Sequence, residues 1–360
     1  MKRTFLLLVK RLSYQLGLLH LYLMVERKLG WKRTAISLCY HSIPATEPLD
    51  AISTLEGGTC RETFESQIKI LAHCLQPIDE SHLHRWLNQE ATLQRDALLI
   101  TFDDGYKNNQ TVAGPILEKY QVPGLIFLPT EAITTGENFW WTRVSNLLRH
   151  ITPSSWQQLA EQPLPAEIRR IIIEEPLTSW ESRRRARRRV ALWIERQDDG
   201  ESLLKQLETE VDRDDLRATP PQMELLNWQD VQDMETGIFG FGSHTHTHPR
   251  LTTLDDLSLK DELTRGRAEL EKRTSQTPRS LAYPAGNFDQ RITDFTRKAG
   301  FALAFTTEPG IIEQQCNPLQ LPRLYLGACR PFEIYFFLVS TNLAKYVPHS
   351  LQRWLIKLSR

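Results

Sequence analysis

Two short stretches carry residue types able to do chemistry: Thr101-Phe102-Asp103-Asp104-Gly105 and His244-Thr245-His246-Thr247-His248-Pro249. Together they offer two adjacent carboxylates and three imidazoles, enough to hold one divalent cation beside one unligated acid. That combination suits hydrolysis, because a cation lowers the pKa of water and polarises a carbonyl while a carboxylate removes the proton. Neighbouring side chains diverge, so one aspartate can bind an ion while the other stays free. A helix-loop-helix calcium site is excluded: counting from Asp103, the third residue is Gly105 and the twelfth is Gly114, where oxygen ligands are needed.

Three histidines leave open which two bind. In an extended chain all three share a face; in a turn, His244 and His248 come together at i, i+4 and His246 is thrown outward. Pro249 and the small residues favour the turn.

These groups must be positioned by the elements before them. Ala35–Tyr40 is an apolar run ending at His41, Ala97–Phe102 ends at Asp103, and Val122–Leu128 reads as the next strand. Ile238–Gly242 leads into the histidines and Leu281–Tyr283 into Pro284-Ala285-Gly286; Phe301–Phe305 and Leu321–Leu326 close the series. Helical spacing over Phe64–Leu75, Ile116–Tyr120 and Arg291–Lys298 falls between them, and strands alternating with helices predict a parallel sheet or barrel. In such a fold the loops after the strands share one face, so His41, Asp103, Asp104 and the histidines should converge.

Between Asn138 and Leu226 the rhythm breaks into helical text with Phe139-Trp140-Trp141 and the run Arg183–Arg189. The tryptophans would offer flat faces to sugar rings or, more often, fill the core of an insertion. The arginines would bind an anion or, more often, form a solvated helix face paired with Glu174, Glu175 and Glu181. The predicted layout is a basic amphipathic helix over 1–33, a barrel from 34–137 and 227–330, the helical insertion 138–226, and a helical segment over 331–360.

Of 360 residues, 44 are Lys or Arg and 44 are Asp or Glu, so no overall field favours nucleic acid. Five scattered cysteines without a C-x-x-C pair indicate neither a disulfide framework nor a zinc ribbon, and lean toward a reducing compartment. The apolar stretch Leu12–Val25 is diluted by Ser13, Gln15 and His20, short of the about 20 residues of a membrane span, and no small-x-small cleavage site follows. The expectation is a cytoplasmic protein whose termini cap the domain or touch the inner membrane face: Glu26 is the one acid before Trp31, and Leu351, Trp354, Leu355 and Leu358 are interleaved with Arg353 and Lys357.

Thr101–Gly105 and His244–Pro249 resemble the Thr-Phe-Asp-Asp-Gly and His-Ser/Thr-x-x-His-Pro motifs of the polysaccharide deacetylases that carry the nodulation-protein-B (NodB) homology domain. The resemblance, which covers about Ile36–Pro129 and Phe239–Leu326, implies a distorted (β/α)7 barrel of the α/β class. It also implies Asp103 as base, Asp104, His244 and His248 as metal ligands, and a variable position for His246. Ala282-Tyr283-Pro284-Ala285-Gly286 looks like the third motif of the poly-N-acetylglucosamine deacetylase branch, where the Ala285 N–H would serve an oxyanion hole. The late Leu-x-His motif is missing; in that branch a strand ending Tyr-His supplies the acid, matched by Tyr40-His41, and Leu321-Pro322-Arg323 resembles the strand whose arginine holds the base.

Zinc is the implied metal, with iron, cobalt or nickel admissible for such ligands. The expected partner is an N-acetylated glycan or a lipid-linked sugar, with no nucleic acid. Two other readings remain: a small-molecule metal amidohydrolase using His244 and His246 as a His-x-His pair, and a carbohydrate-binding protein without catalysis.

Overall fold

The structure is a computed structural model that describes residues 10–29, 32–45, 58–197, 200–209, 223–327, 329–347 and 351–352. A helix, α1 (Leu18–Leu29), precedes strand β1 (Ala35–Tyr40). Next come α2 (Arg61–Cys74), β2 (Gln76–Pro77), α3 (Glu80–Leu87), β3 (Ala97–Phe102), α4 (Gly114–Tyr120), β4 (Gly124–Leu128) and α5 (Thr130–Thr135). Five helices then interrupt the alternation: α6 (Trp140–His150), α7 (Pro153–Gln158), α8 (Ala166–Glu174), α9 (Trp180–Ile194) and α10 (Gly200–Glu208). The alternation resumes with α11 (Trp228–Met234), β5 (Phe239–Ser243), α12 (Asp256–Arg273), β6 (Ser280–Ala282), α13 (Gln290–Lys298) and β7 (Leu303–Phe305), followed by α14 (Pro331–Ala344).

All strand pairs are parallel, in the order β1-β3-β4-β5-β6-β7, with β2 beside the start of β3. Alternation along each strand sorts its side chains into two layers. Ile36, Leu38 and Tyr40 of β1, with Leu98, Ile100 and Phe102 of β3, pack outward against Phe64 and Ile68 of α2 and Phe337 of α14. Ala35, Ala97 and Leu99 face the opposite way, onto Phe127, Phe305 and Leu321. Burying one such large side chain contributes roughly 1.5–3 kcal/mol, so this interior is the main stabiliser of the curl. Further along the same inward rows, apolar residues give way to Cys39 and Thr101, which pair in register, and then to His41 and Asp103.

The predicted strand over Leu321–Leu326 does not form as a regular element. Leu321 pairs with Phe305 of β7 and Leu324 with Leu38 of β1, each as a single parallel step. Pro322 has no N–H to extend a ladder. Because one segment bonds to both edge strands, it stitches the curled sheet toward closure and delivers Arg323 to the interior.

Helices α6 to α10 bury their own apolar cluster, including Val144, Leu147, Trp156, Ile168, Val190 and Leu204. Among the described residues, two of the six arginines in the run pair with acids, Arg185 with Glu175 and Glu181 and Arg189 with Glu174, whereas Arg183 donates to the Leu148 and Ile151 carbonyls and Arg187 to Ser145 Oγ. Helix α14 is tied down by Lys345 and Asn342, which both donate to the buried Asp96 carboxylate beside Thr34 N–H. Trp354, Leu355, Leu358 and the flanking Arg353 and Lys357 lie outside the described residues, as do residues 1–9. Among the described residues, no helix is long and apolar enough to cross a membrane.

Candidate active site

Asp103 emerges from β3 into the barrel interior and is 3 % exposed. Arg323 grips it in a two-pronged pair, Nη1 to Oδ1 and Nη2 to Oδ2, both 2.7 Å. Arg323 is itself fixed: Nη1 donates to Thr101 Oγ1, Nε to the Thr306 carbonyl, and the guanidinium lies 5.7 Å from the centre of the Phe127 ring. Burial alone would raise the Asp103 pKa, but the Arg323 charge and hydrogen bonds, with His244 and His41 nearby, outweigh it and hold the carboxyl well below its ordinary range. The Cys39 thiol donates to Asp103 Oδ2 at 3.4 Å, and burial keeps that thiol protonated.

The chain turns sharply after Asp103. Asp104 and Gly105 have φ of 72° and 69°, left-handed values that aspartate tolerates and glycine adopts freely. A side chain at Gly105 would come within 2.8 Å of Leu128. This turn swings Asp104 toward the loop after β5, where Oδ1 lies 3.5 Å from Nε2 of both His244 and His248.

That loop is a turn, with φ of 67° at Thr245 and 60° at His248. Glu262 of α12 accepts from the N–H groups of His246 and Thr247 and from Thr247 Oγ1, while His248 N–H donates to Thr245 Oγ1. Helix α12 approaches so closely that a Cβ on Gly266 would lie 2.7 Å from the Thr245 carbonyl carbon. His244 Nδ1 is 2.8 Å from the Ala282 carbonyl, which only accepts; in the neutral ring the lone pair therefore sits on Nε2, facing Asp104.

His246 does not swing into solvent as the turn suggested. It is 9 % exposed and its Nδ1 bonds Thr130 Oγ1 at 2.8 Å, on the side of α5, because a half-apolar ring finds both burial and a polar partner there. A His-x-His pair built from His244 and His246 is therefore not assembled.

The donor set fits a cation. Ligand atoms of Asp104, His244 and His248 lie within 4.8 Å of one another, and a tetrahedral ion with bonds of about 2.1 Å places its donors about 3.4 Å apart. Burial, with Asp103 alongside, raises the Asp104 pKa, whereas burial, with His244 alongside, lowers that of His248 well below its ordinary value. A cation would relieve both penalties by favouring the carboxylate and the neutral ring. Cys39, His41 and Asp103 form a second tight group, but Arg323 occupies both Asp103 oxygens.

His41, half-buried, opens onto the same cavity of about 780 Å³ as Asp103, Asp104, His244, His248 and Ala285. Asn109, on a wide π-helical turn over Asn109–Ala113, holds the His41 carbonyl at 2.7 Å, while Asn108 bonds Ile43 N–H. Ala285 projects from a tight turn at φ 53°, followed by Gly286 at φ 69° packed against Thr307.

The far wall is the helical insertion, with Trp140, Trp141 and Arg187. Trp140 packs partly against the insertion core, but Trp141 does not follow the core-filling expectation. It stacks on Phe139 at 4.3 Å, meets His248 edge-on at 5.0 Å, and donates from Nε1 to Tyr106 Oη, which hydrogen bonds Asp104. Cys39, Tyr106, Asn109 and Glu262 are the site residues that sequence reasoning missed. Cys39 alone carried a signal, lying two residues before His41 on one strand face.

Residues 200–304 match the family profile described as Polysaccharide deacetylase. The resemblance to the polysaccharide deacetylases stands. The matched span holds His244, His248 and Ala285, and leaves Asp103, Asp104 and Arg323 outside it. No curated protein sequence matches the chain. The Streptococcus pyogenes deacetylase PplD, solved in complex with acetate, superposes with a TM-score of 0.55 at 16% identity, covering 86% of this chain and 99% of PplD. IcaB from Ammonifex degensii gives 0.51 at 15% identity, covering 82% and 92%. The de-N-acetylase from Aggregatibacter actinomycetemcomitans gives 0.51 at 16%, covering 82% and 96%. At these identities the likeness is one of fold: a parallel, curled sheet with surrounding helices, as in NodB-like deacetylases.

Proposed function

We propose that this chain is a metal-dependent hydrolase that removes an acetyl group from an N-acetylated sugar of a polysaccharide or glycan precursor. The observation that carries this reading is the side-by-side arrangement of two unlike aspartates: Asp104 facing two imidazole nitrogens at 3.5 Å, and Asp103 locked to Arg323. Asp104, His244 and His248 would hold a divalent ion, zinc by preference, with open positions remaining. Such an ion supplies Lewis acidity toward water and an acyl oxygen.

The chain's own groups do the rest. Asp103, kept ionised and aimed by Arg323, takes a proton from water as the amide carbonyl is attacked. The N–H of Ala285, on its exposed turn, donates to the developing oxyanion. His41 protonates the departing nitrogen, and acetate and a free amine result. Trp140 and Trp141, lining the cavity, offer faces to a sugar ring. Acetate release from N-acetylhexosamine oligomers, compared with lipid-linked N-acetylated monosaccharides, tests the proposal. Release that Asp103→Asn and chelation both abolish supports it; no release from either substrate overturns it.

A further inference from the structure

We infer that Tyr106 is a positioning residue for the cation site, and that the helical insertion holds it to that task through Trp141. Asp104 stands on a left-handed turn, with Oδ1 3.5 Å from Nε2 of both His244 and His248. A carboxylate on so short a stem still rotates, and its plane must be fixed if one oxygen is to face the ion that the two imidazoles would share. The Tyr106 hydroxyl hydrogen bonds that carboxylate. Tyr106 is buried, and its backbone pairs with Leu225, where the chain returns from the insertion. Lys107 N–H donates there to the Glu224 carbonyl, and Leu226 N–H to the Gly105 carbonyl.

Trp141, near the start of the insertion, sets the direction of the hydroxyl proton. Its Nε1 lies 3.4 Å from Tyr106 Oη. An indole N–H only donates, so it engages a lone pair of Oη and leaves the single phenolic proton for Asp104. The indole itself is braced by Phe139, stacked at 4.3 Å, and by Ser145 Oγ, which donates to the Trp141 carbonyl; it also meets the His248 ring edge-on at 5.0 Å. Both ends of the insertion thus bear on Tyr106, and Trp141 reaches His248 directly and Asp104 through a hydroxyl. Donation from Tyr106 favours the charged carboxylate, the form that ligates. The inference rests on the reading of Asp104, His244 and His248 as ligands, and adds that zinc affinity depends on a segment outside the barrel.

The test is calorimetric zinc titration of the full chain, stripped by a chelator, for the native protein, Tyr106→Phe, Trp141→Phe and the double variant, with the visible spectrum of each cobalt-loaded form. Each substitution keeps an aromatic ring and removes one hydrogen-bonding group. Tyr106→Phe should bind zinc roughly 10–100-fold more weakly and shift the cobalt bands, while its metal-free form keeps the native melting point. Trp141→Phe should weaken zinc binding severalfold on its own and add nothing in the Tyr106→Phe background, because it acts through that hydroxyl. Native zinc affinity in either single variant overturns the inference, as do two losses that simply add. Those results leave the ligand assignment standing, whereas a native chain that binds no zinc removes both.

Discussion

A carboxylate buried beside a second carboxylate tends to take up a proton, and burial pushes Asp104 in that direction; Asp103 escapes because Arg323 holds both its oxygens. Replacing Arg323 with Met removes that offset and leaves an uncompensated buried charge, at a cost of roughly 3–5 kcal/mol. The Asp103 pKa should then rise, moving the acid limb of kcat/KM to higher pH. Activity at neutral pH should fall by about a hundredfold or more, the scale of a lost general base. In the native chain the folded-state pKa is depressed, so the pair's stability contribution is complete above the ordinary aspartate value of about 3.9 and is lost as pH falls toward the lowered one. Urea unfolding between neutral and acid pH should show a smaller acid-dependent loss in Asp103→Asn than in the native chain; an equal loss would place the pair's effect elsewhere. His246→Ala should retain metal, since that ring bonds Thr130 rather than the site, and loses about 1 kcal/mol of stability with that hydrogen bond.

At the scale of elements, the histidine loop is shaped by α12, which presents Glu262 to its N–H groups and Gly266 to its backbone. Gly266→Ala should displace the loop and weaken zinc binding by roughly 10–100-fold, as loss of outer support typically does. Gly240→Ala, whose new methyl would meet only Leu125 at an ordinary 3.6 Å, should bind zinc as the native chain does. Calorimetric titration of both variants decides, and equal affinities would remove α12 from the account. Nothing local marks Glu262 or Gly266 in the sequence, because α12 reads as a charged surface helix and the contact spans two separate elements. The strands were legible, since runs such as Ala97–Phe102 are apolar on both faces, and so was the convergence of residues at their ends. Leu321–Leu326 misled because its apolar spacing is strand-like, while Pro322 and its position between two edges allow only single pairings. Cys39 was within reach: strand alternation puts it on the face of His41, opposite Thr101 and beside Asp103.

Across the whole molecule, the insertion completes the site rather than merely decorating the barrel, since its Trp141 leans on His248 and its helices wall the cavity. Trp141→Ala should raise KM for an oligosaccharide and weaken zinc binding modestly, with the melting point nearly unchanged because Trp141 sits outside the insertion's core. A thermal collapse instead would make it a packing residue. The proposed catalysis needs three chain regions, ending at Asp104, at His248 and at Arg323, to meet with one aspartate ligating and its neighbour free. Metal content measured alongside acetate release on the native chain, Asp103→Asn and His248→Ala tests that most directly. Asp103→Asn should keep its zinc and lose acetate release, whereas His248→Ala should lose both; zinc lost from Asp103→Asn, or zinc and activity kept in His248→Ala, would contradict the account.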